Sequence, residues 1–223
     1  MSAPEAPVYP VLKDKVAIIT GAAQGMGKAT AAVFLRAGAK VVIADIKAEQ
    51  GEKVAEELSS LGEIRFVATD IAKSDEVQNL IAVTVSTFGK LDIAINNAAR
   101  YPDSTSLIDF DEPYWRSLID VTLTGTALCN KYQLQQMQKQ GTKGSIVNIC
   151  STNSFGPQPN MPAYTSAKHA LVGLTKHSAT EGGPLGIRVN GIAPGPIYVS
   201  HSFPGDSIRS VANGSRAKCL LKR

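Results

Sequence analysis

The sequence predicts one α/β domain, a doubly wound parallel sheet with helices on both faces. At 223 residues the chain is long enough for one well-filled core and too short for two ordinary domains. From Lys15 onward, short runs rich in Val and Ile alternate with longer stretches of helical periodicity, the pattern of a parallel sheet covered by helices. No linker or internal repeat follows a flexible N-terminal arm over 1–12, so we expect the domain to occupy 13–223.

The first half of the chain predicts three strands and three helices. In order they are the strand Val16–Thr20, the helix Lys28–Ala37, the strand Lys40–Ala44, the helix Glu49–Leu61, the strand Ile64–Thr69 and a helix ending at Phe88. The strands are short apolar runs rich in β-branched residues, and the helices carry apolar residues at a spacing of three or four. Gly38 ends the first helix, and Ser74 is the expected N-cap of the third.

The second half predicts three more strands separated by two helices. These are the strand Leu91–Ile95, the helix Tyr114–Gln140, the strand Ser145–Ile149, the helix Ala163–Ala179 and the strand Ile187–Ile192. Polar, proline-containing loops over 101–113 and 151–162 precede the two helices. Consecutive parallel strands need right-handed crossovers, so this order of elements implies a doubly wound sheet. In such a sheet, ligands are expected beyond the carboxyl ends of the strands.

Composition excludes several classes of function. The net charge is only +4, and the 23 Lys and Arg residues are scattered, so a nucleic-acid partner is not expected. Three cysteines and three histidines show no metal-ligand spacing, so no disulfide framework or metal is expected, and the cytoplasm is the predicted location. No apolar run approaches the ~20 residues of a membrane span.

A glycine-rich turn follows the first predicted strand and opens a helix. It contains Gly21, Gln24, Gly25, Met26 and Gly27. Glycine adopts backbone angles closed to other residues, and its missing Cβ lets a pyrophosphate approach backbone N–H groups at the positive end of a helix. The alternative is a plain strand-to-helix turn, but the position between strand and helix favours a dinucleotide site.

Polar residues at the ends of the next strands extend this site. Asp45 closes the second strand, where a carboxylate accepts hydrogen bonds from ribose hydroxyls and repels a 2′-phosphate, so NAD is favoured over NADP. Lys47 lies close enough to weaken that preference. Asp70 and Ile71 after the third strand, and Asn97 after the fourth, are candidates for adenine or ribose contacts, although such residues also serve ordinary turns.

Three residues form a candidate catalytic group. Tyr164 and Lys168 are four residues apart in a predicted helix and so lie on one face. A phenol of pKa near 10 is a poor acid–base catalyst at neutral pH, and a nearby ammonium or cationic nicotinamide lowers that pKa. Ser151 follows the fifth strand and can approach the phenol if the intervening loop folds back. Taken alone, each of these residues more often lies on a helix surface or caps a helix. Their combination with a nucleotide-binding loop favours catalysis.

Together these motifs resemble the short-chain dehydrogenase/reductase family. T-G-A-A-Q-G-M-G looks like its cofactor loop, N-N-A-A like its N-N-A-G element, and Y-T-S-A-K with the preceding serine like its catalytic set. The resemblance implies a Rossmann-like fold and hydride transfer between NAD(H) and a small-molecule secondary alcohol or ketone. Tyr164 would exchange the proton, Ser151 would bind the oxygen, and Lys168 would tune Tyr164 and hold the nicotinamide ribose. Pro194, Gly195 and Ile197 would lie at the nicotinamide.

The sequence departs from the family pattern at three places. Thr122 stands where the family has a catalytic Asn, so we expect a weaker proton relay. Val199 replaces a threonine that would bind the carboxamide. After the tail 201–223 the family has a further helix and strand, so we expect a truncated chain with weakened homo-oligomers. The alternative function is therefore a nucleotide-binding chain with little or no catalysis, acting as an interaction or regulatory protein.

Overall fold

The computed structural model describes residues 9–197 and shows six parallel strands in the order β3-β2-β1-β4-β5-β6. The strands are β1 Val16–Thr20, β2 Lys40–Asp45, β3 Ile64–Ala68, β4 Ile93–Asn96, β5 Gly144–Ile149 and β6 Ile187–Ile192. The helices are α1 Gly25–Arg36, α2 Ala48–Leu58, α3 Ser74–Phe88, α4 Glu112–Ile119, α5 Thr126–Gln140 and α6 Pro162–Gly182. The chain reverses its direction of winding between β1 and β4, so the fold is the predicted Rossmann-like, doubly wound one.

The core lies on both faces of the sheet. All five residues of β1 are buried, as expected for a central parallel strand covered by helices on each side. One cluster packs around Ile18, Leu80 and Ile146, and the other packs around Ile19 and Leu35. Because helices cover both faces of the sheet, the polar residues that follow the strands lie in loops at its carboxyl edge.

Several predicted boundaries move by a few residues. The helix α1 begins at Gly25 rather than Lys28, because the glycine-rich turn itself forms the first helical turn. Ser74 is wrong as an N-cap: it is the first helical residue, and Lys73 holds the cap position without a side-chain hydrogen bond. The strand β4 starts at Ile93 rather than Leu91, and just before it the Asp92 carboxylate accepts the Val16 N–H at 2.9 Å.

The long predicted helix over Tyr114–Gln140 is three pieces. A π-helical turn, Asp120–Gly125, joins α4 to α5 and contains Thr122. Single π turns inside α-helices are frequent at functional sites. Gly125 lets this turn approach the loop after β3: a Cβ there would lie 2.8 Å from Ile71 Cγ1.

The arm predicted over 1–12 is too long at its C-terminal side. The Leu12 N–H donates to the Ala37 carbonyl at 2.9 Å, and the Leu12 side chain packs against the core cluster of Ile19 and Leu35. Residues 1–8 and the tail 198–223, with the predicted departure at Val199, lie outside the described residues. Across residues 9–197, no helix has the length and apolar character that a membrane crossing demands.

Candidate active site

The turn between β1 and α1 forms an open helix N-terminus. Gly21 has φ +65° and Gly25 has φ +56°, in the left-handed region that favours glycine. Gln24 holds the N-cap position, but its side chain does not cap the helix. The first N–H groups of α1 therefore face the carboxyl edge of the sheet without a side-chain cap, the arrangement that binds a phosphate.

Gly27 is required by packing inside this turn. A Cβ at Gly27 would lie 2.3 Å from the Gly21 carbonyl oxygen and 2.8 Å from Ala22 Cα. Both distances are much shorter than a van der Waals contact, and the backbone atoms concerned have no room to move. The glycines thus fold the turn tightly enough for its backbone to stay exposed to a ligand, and the residues present fit a dinucleotide.

Asn97 supports the turn from β4, and its predicted contact with adenine or ribose stays a prediction. Its side-chain amide donates to the Thr20 carbonyl at 2.9 Å and to the Gly21 carbonyl at 3.0 Å. Its own N–H donates to Thr20 Oγ1 at 3.1 Å. Both amide protons are used inside the protein, so Asn97 fixes the shape of the glycine-rich turn.

Asp45 lies at the end of β2, facing the same turn. Its two carboxylate oxygens accept the Ala23 N–H at 3.0 Å and the Lys47 N–H at 3.1 Å. The Lys47 ammonium donates to Gln24 Oε1, and Gln24 Nε2 donates to the Tyr101 hydroxyl, both at 3.1 Å. The carboxylate is where the ribose hydroxyls were predicted to bind, and Lys47 is beside it as expected.

The two candidates after β3 serve mainly the protein itself. One Asp70 carboxylate oxygen accepts the Ala72 N–H at 3.0 Å, closing a turn, and the Asp70 N–H donates to Glu76 Oε2. The Ile71 side chain is buried in a small cluster with Val77. Only the Asp70 carboxyl and the backbone of this loop are available to a ligand.

Ser151 follows β5 and is anchored by a short helical turn. Its hydroxyl accepts the Asn153 N–H at 3.1 Å, and its own N–H donates to Ser154 Oγ at 3.2 Å. Ser154 in turn donates to the Lys168 carbonyl at 2.7 Å. Ser154, which sequence reasoning missed, therefore fastens the Ser151 turn to the helix of Tyr164 and Lys168.

The structure brings Ser151, Tyr164 and Lys168 together. The Ser151 side chain lies close enough to the Tyr164 phenol to lower the pKa of that phenol. The Lys168 ammonium lies 5.5 Å from the centre of the Tyr164 ring and donates to the Ile149 carbonyl at 2.6 Å. A hydroxyl donor, a phenol and an amine thus meet at the carboxyl end of β5.

Burial is the largest cause of the pKa shifts of Tyr164 and Lys168, whereas the sequence predicted that a nearby ammonium lowers the pKa of Tyr164. Burial raises the pKa of the Tyr164 phenol above 10 and outweighs the Ser151 side chain, which lowers it. Burial also lowers the pKa of Lys168 to about 8. The physical reason is common to both groups, since each charged form loses hydration inside the protein.

Thr122 lies in the π turn and is fully buried. Its hydroxyl oxygen accepts the Arg100 N–H at 3.2 Å, and its carbonyl accepts the Thr126 hydroxyl at 2.8 Å. The side chain therefore anchors the loop that follows β4.

Replacing Thr122 by valine tests this anchor. We expect Thr122→Val to lower the free energy of unfolding by about 1 kcal/mol, because the Arg100 N–H loses its acceptor while side-chain volume is kept. Urea denaturation of both chains measures the difference. Thr124→Val, an exposed position of the same π turn, is the control, and equal losses in the two variants would contradict the assignment.

The segment predicted to face the nicotinamide follows β6. The Thr152 N–H donates to the Pro194 carbonyl at 3.0 Å, which places this segment against the Ser151 turn. Gly195 and Ile197 are exposed beside it, and Ile197 is the last described residue. The predicted residues after β1, β2, β5 and β6 are thus gathered on one edge of the sheet.

Comparison with known proteins identifies the family of this chain. Residues 15–203 match the family model described as short chain dehydrogenase. A short chain dehydrogenase/reductase of Aspergillus oryzae is 45% identical over 188 residues, covering 83% of this chain and 72% of the relative. A 2,5-dichloro-2,5-cyclohexadiene-1,4-diol dehydrogenase of Sphingobium indicum is 41% identical, covering 83% and 74%.

A solved structure gives the same result at the level of the fold. The NAD⁺-bound xylitol dehydrogenase superposes with a TM-score of 0.81 at 30% identity, covering 87% of this chain and 73% of that one. With its family model matched over most of its length and close relatives at 41% and 45% identity, the chain belongs to the short chain dehydrogenase family.

Proposed function

We propose that this chain is an NAD(H)-dependent dehydrogenase that interconverts a cyclic secondary alcohol and its ketone. The observation that carries the proposal is the meeting of Ser151, Tyr164 and Lys168 beside an open helix N-terminus. At this place a substrate oxygen can receive a hydrogen bond from Ser151 and exchange a proton with Tyr164. A dinucleotide held by the turn Gly21–Gly27 would lie along the same edge of the sheet.

Each residue has a definite task in alcohol oxidation. NAD⁺, when bound, would supply the acceptor for the hydride of the carbinol carbon. The Ser151 hydroxyl binds the substrate oxygen, and the Tyr164 phenolate takes the O–H proton, leaving a ketone. Lys168 supports the phenolate through its charge and holds the nicotinamide ribose. The proton then leaves Tyr164 for solvent, and ketone reduction runs through the same groups in reverse.

The remaining cofactor assignments follow the geometry of the loops. We assign the pyrophosphate to the N–H groups of Gly25, Met26 and Gly27, and the adenine side to Asp70 and the backbone at Ile71. Pro194, Gly195 and Ile197 are assigned to the nicotinamide. NAD is favoured over NADP because the Asp45 carboxylate would repel a 2′-phosphate.

The cyclic, largely apolar substrate rests on two observations. The loops after β4 and β5 expose large apolar side chains, with Ile108 92% and Phe155 72% exposed. Exposed apolar side chains on the loops at the carboxyl edge of the sheet favour a substrate that buries apolar surface. The Sphingobium relative is named for a cyclohexadiene diol, which has this character.

Turnover of a substrate panel tests the proposal. Purified chain is mixed with NAD⁺ and cyclic, acyclic and sugar alcohols, or with NADH and the corresponding ketones, and absorbance of NADH is followed. We expect turnover to be highest for the cyclic compounds. A folded chain that binds NADH but turns over none of them, and is equal to Tyr164→Phe, would favour the non-catalytic alternative. Cytoplasmic location and homo-oligomer formation stay predictions, the first from cysteine usage and the second from the family.

Removing the Asp45 charge tests the cofactor preference. We expect Asp45→Asn to narrow the ratio of NADPH to NADH dissociation constants by about tenfold, equivalent to ~1.4 kcal/mol, because the carboxylate charge no longer opposes the 2′-phosphate. Fluorescence titration with each cofactor measures the ratio. Asp70→Asn, at the end of the neighbouring strand, should leave the ratio unchanged, and a parent chain that binds NADPH as tightly as NADH would contradict the assignment.

A further inference from the structure

A buried carboxylate from a distant loop holds the first turn of the helix that carries Tyr164. Asp103 lies in the loop after β4 and is 7% exposed. Its Oδ2 accepts the Ala163 N–H at 2.9 Å, and its Oδ1 accepts the Tyr164 N–H at 3.0 Å. One of these two hydrogen bonds is to the backbone of the proposed proton-transfer residue itself.

The local sequence of α6 leaves those two N–H groups without a partner of their own. Met161 holds the N-cap position and makes no side-chain cap hydrogen bond, and Pro162 has no N–H to donate. Ala163 and Tyr164 are therefore the first donors of the helix, where a capping Ser, Thr, Asp or Asn ordinarily accepts. Asp103 fills that role from 60 residues away along the chain.

The chemistry of the side chain suits both hydrogen bonds. An ionised carboxylate is an acceptor at each oxygen, so it can take two neighbouring N–H groups at once. Its negative charge also lies at the positive end of the dipole of α6, which is favourable. An asparagine has one acceptor oxygen, and its NH₂ group would face the second N–H.

The loop that carries Asp103 is itself held in place. The Tyr114 hydroxyl donates to the Tyr101 carbonyl at 2.9 Å, and the rings of Phe110 and Trp115 pack with centroids 5.2 Å apart. These contacts tie both ends of the loop to α4. The carboxylate is thus presented by a fixed segment, and a fixed segment can determine where Tyr164 lies.

We infer that Asp103 is a positioning residue, which fixes the Tyr164 phenol against Ser151 by holding the Tyr164 backbone to the loop after β4. The inference rests on the proposed function, since it assigns how the proton-transfer group of that site is held. The rate of proton transfer is sensitive to the position of the phenol, because a small displacement of a reacting group lowers the reaction rate by a large factor.

The test compares Asp103→Asn and Asp103→Ala with the parent chain and with Asp109→Asn. Asp109 lies in the same loop but is exposed and accepts only the Ser106 hydroxyl, at 2.7 Å, among the hydrogen bonds of its side chain within residues 9–197. Asp103→Asn keeps the side-chain volume and is the variant expected to stay folded if alanine does not. Folding is monitored by circular dichroism, and cofactor binding by NADH fluorescence.

The first readout needs no substrate. Ultraviolet difference spectra follow phenol ionisation with pH, and subtraction of the Tyr164→Phe spectrum isolates Tyr164 from the other tyrosines. In Asp103→Asn we expect its midpoint to differ from that of the parent, because displacement of the phenol changes both its burial, which raises its pKa, and its contact with Ser151, which lowers it. Asp109→Asn should titrate like the parent.

The second readout is steady-state turnover. We expect kcat of Asp103→Asn to fall roughly tenfold to a hundredfold while KM and the NADH dissociation constant change little. If the parent turns over nothing, the proposed function fails while the phenol titration still decides the role of Asp103. An Asp103→Asn chain with the parent's phenol midpoint would overturn the inference, even with a lowered melting temperature, because Asp103 would then be a structural cap alone.

Discussion

Tyr164→Phe is expected to lower kcat by about 10²- to 10⁴-fold, the contribution typical of a positioned acid–base group. Phenylalanine keeps the ring and the packing of α6 but cannot exchange a proton with the substrate oxygen. The NADH dissociation constant and the circular dichroism spectrum should stay at the parent's values. Stopped-flow or steady-state NADH absorbance on the best substrate of the panel measures the loss.

The pH dependence sharpens this expectation. Burial raises the pKa of Tyr164, so the free protein carries the protonated phenol at neutral pH. Ketone reduction, which needs the acid form, should decline as pH rises, and alcohol oxidation, which needs the phenolate, should increase. A bound nicotinamide cation favours the phenolate, so the midpoint for oxidation should lie below that of the free protein. Both limbs should disappear in Tyr164→Phe.

Tyr132→Phe is the matched control for the lost hydroxyl. The Tyr132 hydroxyl forms a 2.6 Å hydrogen bond with Ser74 between α5 and α3, away from the Ser151 turn. Its removal should leave kcat within about twofold of the parent value, since a substitution away from the candidate active site acts mainly on the stability of the fold. Equal losses of kcat in the two variants would show that Tyr164 acts through the fold and not through proton transfer.

The fold was predictable because its signals are local and repeated. Each central strand is a short run of Val and Ile that must be buried on both faces, and β1 is buried at all five positions. The proximity of the candidate catalytic residues was predictable for a similar reason, because Tyr164 and Lys168 lie four apart on one helix. Ser151 needed only the expectation that strand ends meet at one edge of a parallel sheet.

The remaining features depend on contacts between distant segments. No local pattern distinguishes Asp103 from other acids of its loop, since its partners lie 60 and 61 residues further on. The position of Asn97 at a strand end is visible in the sequence, whereas its hydrogen bond to the Thr20 carbonyl is not. The π turn around Thr122 likewise follows from packing against Ile71 and not from any periodicity of its own.

The buried amine of Lys168 should make stability depend on alkaline pH. The side chain is 3% exposed, and burial lowers its pKa to about 8 from 10.5. Below pH 8 both folded and unfolded chains carry the proton, and the folded state bears the whole cost of burying the charge. Between pH 8 and 10.5 only the unfolded chain stays protonated, so the free energy of unfolding rises with pH.

The expected gain is about 3 kcal/mol across that window, at 1.36 kcal/mol for each unit of pKa displacement. It is measured by urea denaturation at intervals from pH 7 to 10.5, under a reductant, as the difference between the parent and Lys168→Met. Methionine has a similar length and no charge, so the rise should be absent from that variant. Tyr164 and Cys150, whose pKa values are raised by burial, contribute with the opposite sign in both chains, and subtraction removes the part of that contribution that does not depend on Lys168.

A flat difference between the two chains would mean that the Lys168 ammonium keeps its charge in the folded state up to about pH 10. Its hydrogen bond to the Ile149 carbonyl would then compensate for burial, and a full positive charge would lie beneath the Tyr164 ring. A rise with pH would instead show an amine that gives up its proton near pH 8. In that case Lys168 supports the Tyr164 phenolate by charge at neutral pH and loses this effect in the alkaline range where oxidation is fastest, so the rate of oxidation should pass through a maximum.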